Sequence, residues 1–220
     1  MKDLQTVNVE TTVHGRYLMR AVAGGEAAPL LVGFHGYGGN AGRLFESIIE
    51  IPGIIEWNVV VVQALHPFYN TRTGEVVASW MTKLDRELAI ADNVRYVGDA
   101  VVDARSRLEI GGPTVFLGFS QGTAMAYRAA VAPGSACDAV IALAGDVPAE
   151  IEPGTGTALR VLIGCGESDE WYDGAKMEAD LARLRTMGAD VETCVFEGGH
   201  EWTPRFRSAG REFLGKVLRS

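Results

Sequence analysis

One short turn constrains the fold of this chain more than any other stretch: residues 118–122, with the sequence Gly-Phe-Ser-Gln-Gly. The turn follows a run of β-branched and aromatic residues at 114–117 and precedes a run of helix formers at 123–130. A Gly-x-Ser-x-Gly turn between a strand and a helix is typical of a nucleophile elbow, which holds a strained serine at the end of the strand. The pattern predicts that Ser120 is a nucleophile; the alternative is a glycine-rich turn that carries a serine by chance.

The rest of the chain alternates between strand-like and helix-like segments. Continuous apolar runs, which are typical of strands buried on both faces, occur at 29–34, 58–64, 138–145, 159–164 and 191–196. Stretches with helical periodicity separate them. This alternation predicts an α/β fold: one domain over residues 1–220, with a mostly parallel central sheet and helices on both faces. The β-rich runs 6–13 and 16–22 predict an antiparallel hairpin at one edge of that sheet.

Net charge and cysteine content indicate which partners are disfavoured and which cellular compartment is expected. The formal net charge is −8, which disfavours nucleic acids and anionic membrane surfaces. The three cysteines, Cys137, Cys165 and Cys194, are odd in number and lack CxxC spacing, so we expect free thiols and a reducing compartment. Residues 1–6 lack the apolar core of a signal peptide, and the longest apolar runs are too short to span a bilayer. A cytoplasmic protein without a membrane span is expected.

Polar residues follow several of the predicted strands, and parallel strands bring their carboxyl ends to one edge of the sheet. A serine hydroxyl needs a base to accept its proton, and the base needs a carboxylate to orient it. Ser120, Asp169 and His200 occur in the order expected for an elbow-type hydrolase. Gly198 and Gly199 allow the histidine loop to bend towards the serine. The sequence therefore predicts Ser120, Asp169 and His200 as the catalytic residues.

Other carboxylates and histidines compete for these roles. Asp146 and Glu167 also follow strands, although Asp169 is preferred because one helix and one strand separate it from His200. We expect Asp146 to cap a helix or to line the substrate pocket. His35 is expected to hold the loop that carries an oxyanion donor, and His66 to line the pocket.

Two backbone amides are predicted to form the oxyanion hole: those of Tyr37, in the glycine-rich stretch 35–40, and of Gln121. That stretch lacks the Lys-Ser/Thr ending of a phosphate-binding loop, and the spacing of histidines and carboxylates predicts no metal. The irregular stretch 65–83 is expected to supply an open substrate pocket with little lid. Together with His66 and Asp146, its predicted lining residues are Phe68, Tyr69, Trp80 and Met81.

Five motifs together resemble the α/β-hydrolase superfamily, and within it the phospholipase/carboxylesterase group that includes acyl-protein thioesterases. They are His35-Gly36-Tyr37-Gly38-Gly39, Ser79-Trp80, Gly118-Phe119-Ser120-Gln121-Gly122, Gly166-Glu167-Ser168-Asp169 and Gly199-His200-Glu201. The resemblance implies a cofactor-free serine esterase with the catalytic and oxyanion residues named above. Two positions depart from the family: Cys165 stands where a histidine is common before Gly166, and Asp146 where an uncharged residue is usual.

These observations predict a serine carboxylesterase that hydrolyses a small-molecule ester or thioester. Two alternatives use the same residues: a small peptidase and a polyester depolymerase, the latter because the N-terminal segment resembles small esterases related to feruloyl esterases and depolymerases. A third alternative, of another class, is a noncatalytic binding protein with a hydrolase fold.

Overall fold

The structure is a computed structural model that describes residues 4–151 and 159–219. The strands in these residues are β1 (Arg16–Arg20), β2 (Ala28–Phe34), β3 (Asn58–Gln63), β4 (His66–Tyr69), β5 (Val76–Ser79), β6 (Ile110–Phe119), β7 (Ala139–Leu143), β8 (Arg160–Gly166) and β9 (Asp190–Phe196). The α-helices are α1 (Ala41–Ile49), α2 (Arg86–Arg107), α3 (Gln121–Val131), α4 (Gly174–Thr186) and α5 (Pro204–Val217).

Seven strands form one twisted sheet in the order β1-β3-β2-β6-β7-β8-β9. Every neighbouring pair in this sheet is parallel except β1 and β3. The central strands are mostly apolar and buried, as expected for strands that helices cover on both faces. In β3, for example, all residues from Asn58 to Val62 are buried. The predicted mostly parallel α/β sheet is therefore confirmed.

The antiparallel hairpin predicted at 6–13 and 16–22 is wrong in its pairing. The second run does contain an edge strand, β1, but β1 pairs with β3, as in the register of Tyr17 opposite Val62. Residues 6–13 form no strand and are exposed. The antiparallel hairpin that the structure contains lies elsewhere, where β4 pairs with β5 inside the stretch expected to be irregular.

Two apolar layers hold the helices against the sheet. On one face, α1 and α5 pack against the strands through side chains such as Ile48 and Phe213. On the other, α2, α3 and α4 pack through side chains such as Val97, Met125 and Leu181. Burial of apolar area on both faces is the main stabilising contribution to such a fold. No helix in the described part of the chain is long and apolar enough to cross a membrane.

Side-chain caps fix where three helices begin. Asn40, Asp173 and Thr203 accept hydrogen bonds from Arg43, Lys176 and Phe206 backbone amides, respectively. Such caps satisfy amides that the first turn leaves without partners. Because α1, α4 and α5 follow strands β2, β8 and β9, the caps also set the lengths of loops at the carboxyl edge of the sheet. The candidate site lies at this edge.

Candidate active site

The turn around Ser120 has the backbone geometry of an elbow. Ser120 lies between the end of β6 and the start of α3, with φ of 54° and ψ of −123°, a conformation that non-glycine residues rarely adopt. Its flanking glycines leave no room for a side chain. A Cβ on Gly118 would lie 2.4 Å from Thr123 Cα, and one on Gly122 would lie 1.9 Å from Phe34 O. Close packing of β6, α3 and β2 therefore requires glycine at both positions.

The strand that follows the elbow also supports it. The Ser120 amide donates to Leu143 O of β7 at 2.9 Å. Gly145, two residues after the end of β7, approaches the elbow so closely that a Cβ there would lie 2.3 Å from Ser120 O. Strain at Ser120 is thus held by contacts on both sides of the turn.

Asp169 and His200 lie in direct contact on neighbouring loops. His200 Nδ1 is 2.9 Å from Asp169 Oδ2 and 3.1 Å from Oδ1. Asp169 is buried and its Oδ1 also accepts from the backbone amides of Trp171 and Tyr172, at 2.8 and 2.9 Å. An ionised carboxylate accepts hydrogen bonds only, and these donors fix its orientation. The carboxylate favours the His200 tautomer with its proton on Nδ1, which leaves Nε2 free to accept a proton.

The two loops that carry this pair are cross-linked through their backbones. The Glu167 amide donates to Phe196 O, and the Ser168 amide donates to Gly198 O, both at 2.9 Å. Gly198 has φ of +141°, which favours glycine because other residues rarely adopt it. A Cβ on Gly166 would lie 2.3 Å from Gly199 O. The loops after β8 and β9 therefore approach each other as closely as their glycines permit.

A ring contact brings His200 to the elbow. The centroid of the His200 ring lies 5.1 Å from that of Phe119, the residue immediately before Ser120. Phe119 also contacts Trp202, two residues after His200, with the ring centroids 6.3 Å apart. The phenyl ring thus packs the elbow against the histidine loop.

The glycine-rich loop after β2 lies against the other side of the elbow. A Cβ on Gly36 would lie 3.1 Å from Ser120 Cβ. The loop pairs with β5: the Gly38 amide donates to Ala78 O at 3.0 Å, and the Ala78 amide donates to Gly39 O at 2.8 Å. This pairing leaves Tyr37 at the turn, with its side chain 63% exposed.

His35 supports this loop from beneath. Its Nδ1 donates to Gly36 O at 2.8 Å, and its Nε2 accepts from the Ala64 amide at 3.1 Å. These partners require the neutral imidazole, because Nε2 must act as an acceptor. Burial lowers the pKa of His35, which also favours the neutral form. The structural role predicted for His35 is confirmed.

Comparison with known proteins places the chain in a family. A family model described as Phospholipase/Carboxylesterase matches residues 21–218. The chain belongs to the phospholipase/carboxylesterase family. The family resemblance and the α/β-hydrolase fold predicted from the sequence are both confirmed. A comparison with curated protein sequences finds no match.

Solved structures share the fold of this family member. Esterase PE8 is 25% identical with a TM-score of 0.74, and the match covers 94% of this chain and 100% of that one. A carboxylesterase from Bacillus cereus is 18% identical with a TM-score of 0.74, and covers 92% and 94%. Acyl-protein thioesterase 2 from Zea mays is 16% identical with a TM-score of 0.71, and covers 93% and 100%.

Two residues expected to line the substrate pocket of this family member lie in the core instead. The Trp80 side chain is fully buried, and its indole nitrogen donates to His35 O at 2.7 Å. Met81 is 8% exposed and packs in the same apolar cluster. The expectation was wrong because β5 pairs with the glycine-rich loop. Residues 80 and 81, which follow β5, therefore lie under this loop, where large apolar side chains are buried.

The other expected pocket residues of stretch 65–83 are exposed on the hairpin. His66, Phe68 and Tyr69 all belong to β4, whose four residues are exposed. The Phe68 ring contacts the Tyr37 ring, with centroids 5.5 Å apart. Phe68 thereby lies beside the glycine-rich loop.

Asp146 is exposed just beyond the end of β7 and caps none of the α-helices in the described residues. The buried Asp180 of α4 holds the following loop, since its Oδ2 accepts from the Val147 amide at 2.9 Å. Arg183 donates to carbonyl oxygens in the same loop, including Val147 O at 2.9 Å. The Asp146 backbone is therefore fixed next to Gly145, while its side chain faces solvent.

One polar contact of the site was not foreseen in the sequence. The Gln121 side chain accepts from the Trp80 amide at 2.9 Å and donates to Met81 O at 2.9 Å. From the sequence, only the backbone amide of Gln121 was predicted to have a role, as an oxyanion donor. A long amide side chain on the first residue of a buried helix was the available signal, but its partners lie about 40 residues away in the chain.

The described residues contain no group of three or more His, Cys, Asp or Glu side chains that could hold a metal ion. All three cysteines are free thiols. Cys165 is buried, and its thiol donates to Tyr172 O at 3.0 Å. This departure from the family pattern thus packs beneath the loop of Asp169.

Proposed function

We propose that this family member is a serine carboxylesterase that hydrolyses ester or thioester bonds through an acyl-enzyme on Ser120. In this proposal His200 is the general base and acid, and Asp169 orients it. The backbone amides of Tyr37 and Gln121 donate to the oxyanion. The observation that carries the proposal is the contact between Asp169 and His200 beside a serine with φ of 54°.

Acylation follows from these roles. The Ser120 hydroxyl oxygen attacks the substrate carbonyl while its proton passes to His200 Nε2. The tetrahedral intermediate collapses when Nε2 protonates the leaving alcohol or thiol. A water molecule then attacks the acyl-enzyme, again losing its proton to Nε2, and the acid is released as Ser120 recovers its proton. No cofactor enters this sequence of steps.

Asp169 supports the proposed base in two ways. Its hydrogen bond to Nδ1 keeps the imidazole in the tautomer with a free Nε2, and its charge stabilises the imidazolium that forms during acylation. The carboxylate receives donors from Trp171, Tyr172 and His200, so its position is fixed before substrate binds. Such preorganisation avoids reorientation of the site during reaction.

The surroundings of the site favour a small neutral substrate. Asp146 is exposed near Ser120, and the protein carries a formal net charge of −8, so an anionic acyl group would be repelled. The three free thiols support a reducing compartment such as the cytoplasm. The same negative charge argues against a nucleic-acid partner.

A fluorophosphonate probe tests the nucleophile. Wild-type protein should gain the mass of one probe, and Ser120→Ala should gain none, because the probe reacts with activated serines. A folded wild type that does not react would support a noncatalytic binding protein and contradict our proposal. Labelling that persists in Ser120→Ala would show that the nucleophile is elsewhere.

A substrate panel tests the reaction class. We expect turnover of short-chain p-nitrophenyl esters or acyl-CoA thioesters and none of peptide anilides. Cleavage of the anilides at comparable rates would favour the peptidase alternative. Release of soluble acids from a polyester film at comparable rates would favour the depolymerase alternative.

A further inference from the structure

The two backbone amides proposed for the oxyanion hole lie on segments far apart in sequence, Tyr37 and Gln121. An oxyanion hole works only when both donors lie about 3 Å from the position the oxygen will occupy. The strands before them, β2 and β6, are neighbours in the sheet and pair as far as Phe34 and Gly118. Beyond that pair, the spacing between the glycine-rich loop and the elbow depends on further contacts. The segment Ala78–Met81 lies between them and contacts both.

Contacts on the loop side come from the start of this segment. Ala78 makes two backbone hydrogen bonds with the glycine-rich loop: its carbonyl oxygen accepts from the Gly38 amide, and its amide donates to Gly39 O. The Trp80 indole donates to His35 O at 2.7 Å, at the beginning of the same loop. The segment therefore holds the residues on both sides of Tyr37.

Contacts on the elbow side come from one side chain, that of Gln121. Its Oε1 accepts from the Trp80 amide at 2.9 Å and from Ser79 Oγ at 3.3 Å, and its Nε2 donates to Met81 O at 2.9 Å. One amide thus uses both its acceptor and its donor on three consecutive residues. Neither a carboxylate nor an apolar side chain can reproduce this set of contacts.

We propose that the Gln121 side chain and residues 78–81 form a brace that sets the distance between the two oxyanion amides, which makes Gln121 a positioning residue as well as a backbone donor. This inference rests on the proposed function. The backbone amide of Gln121 does not depend on the side chain, so a substitution can remove the brace and keep the donor. A misplaced donor should lower transition-state stabilisation more than substrate binding.

The test compares Gln121→Met with Asn58→Leu. Asn58 is a matched control because its buried amide, like that of Gln121, makes three hydrogen bonds, here with Val22 N, Ala28 O and Glu109 O. It lies at the start of β3, at the opposite edge of the sheet from Ser120. Losing either amide should lower stability, but only the loss of Gln121 should affect the oxyanion hole.

With p-nitrophenyl butyrate, we expect Gln121→Met to lower kcat by roughly tenfold to a hundredfold and to change KM by less than about threefold, short of the loss caused by removing an oxyanion donor outright. Its affinity for a trifluoromethyl ketone, which forms a tetrahedral adduct on the serine, should fall by a similar factor. Asn58→Leu should keep both values within about twofold of wild type while lowering the unfolding temperature.

Trp80→Phe provides a second test because it removes the indole hydrogen bond to His35 O and keeps an aromatic ring and the backbone of residue 80. If the brace acts as one unit, Gln121→Met combined with Trp80→Phe should lose about as much kcat as the worse single variant. If the fold-losses in kcat of the two single variants multiply in the double variant, the two contacts act independently and the proposed brace is wrong. A folded Gln121→Met with wild-type kcat, or an equal loss in Asn58→Leu, would also overturn it while leaving the proposed esterase intact. An inactive wild type that does not react with a fluorophosphonate would overturn both.

Discussion

The floor and the mouth of the proposed active site are built differently. The floor consists of His35, Asp169 and the Ser120 elbow. Asp169 and His35 are 5% and 2% exposed, and hydrogen bonds hold the His35 ring and the Asp169 carboxylate in place. The mouth consists of Tyr37, Phe68 and Tyr69, and two of these are more than 60% exposed. Between Tyr37 and Phe68 the structure gives a ring contact rather than a hydrogen bond.

This difference separates two tasks. Backbone groups at strand ends hold the floor residues: the Ser120 amide donates to Leu143 O of β7, the Asp169 amide donates to Gly166 O of β8, and His35 Nε2 accepts from the Ala64 amide directly after β3. The sheet therefore fixes their geometry. Two mouth residues, Phe68 and Tyr69, lie on a two-stranded hairpin that is not part of that sheet. Tyr37 lies at the turn of the glycine-rich loop, which pairs with this hairpin through Ala78. We infer that the floor determines the reaction and that the mouth modulates which substrate is bound. Substitutions in the floor should then change kcat or stability, whereas those in the mouth should change mainly KM.

The largest expected effect is on the proposed acid. Asp169→Asn replaces the acceptor for His200 Nδ1–H with an amide that can stabilise the opposite tautomer. We expect kcat/KM for a p-nitrophenyl ester to fall by about 10³- to 10⁴-fold, with a smaller effect on the unfolding temperature.

Asp146→Asn is the matched control because it makes the same change in an exposed carboxylate at the next strand end. Its kcat/KM should change by less than about tenfold, since that side chain faces solvent. A large loss of kcat/KM in Asp146→Asn, with little loss in Asp169→Asn, would assign the role of the acid to Asp146 and contradict the role proposed for Asp169.

The next largest effect is on stability, at Gly122. A Cβ there would overlap Phe34 O, at 1.9 Å, and backbone cannot move aside as a flexible side chain can. Gly122→Ala should therefore lower the free energy of unfolding by about 3 kcal/mol or more, if it folds at all. Chemical denaturation monitored by circular dichroism measures the change.

Gly98→Ala makes the same substitution on α2, where the new Cβ would meet no atom within 4 Å. Here we expect a gain of about 0.5–1 kcal/mol, because alanine is the better helix former. Equal losses at both glycines would mean that the packing of the elbow, as described, does not distinguish it from an ordinary helix.

A smaller effect concerns pH and His35. Burial lowers the pKa of His35 in the folded protein, so below about pH 6.5 the unfolded chain binds a proton that the folded chain resists. The stability that His35 contributes is present above this pH and is lost as the pH falls towards its folded pKa, at up to about 1.4 kcal/mol per pH unit.

His35→Gln should therefore be less stable than wild type at pH 8, with the difference shrinking as the pH is lowered to about 5.5. Denaturant unfolding at both pH values provides the comparison. A difference that stays constant with pH would show that His35 does not resist protonation in the folded protein.

The contrast between floor and mouth also explains what the sequence could predict. Ser120, Asp169 and His200 each follow a strand with a clear apolar pattern, and parallel strands place such residues at one edge regardless of side-chain detail. The support role of His35 depended on a local pattern and was also predicted. Their placement required no knowledge of long-range packing.

The errors came from contacts that only the tertiary structure decides. The run at 6–13 has strand-like residues, but β1 pairs with β3 and leaves that run without a place in the sheet. Trp80 and Met81 were predicted to line the pocket because they belong to the irregular stretch 65–83, yet hydrogen bonds with Gln121, about 40 residues later in the chain, hold them in the core. Sequence periodicity carries no signal for such bonds.

The smallest expected effect tests the mouth itself. Phe68 contacts the Tyr37 ring and is exposed, so Phe68→Ala removes apolar area from the mouth and leaves the floor residues unchanged. For a p-nitrophenyl ester with an aromatic or long acyl group we expect KM to rise about threefold to tenfold with kcat nearly unchanged, since the lost contact is equal in the ground and transition states. For the acetyl ester both constants should stay close to wild type, because a short acyl group does not reach the Phe68 ring. A fall in kcat for every ester would instead show that the hairpin helps to position the glycine-rich loop. Phe68 would then belong with the floor residues, which affect the reaction itself.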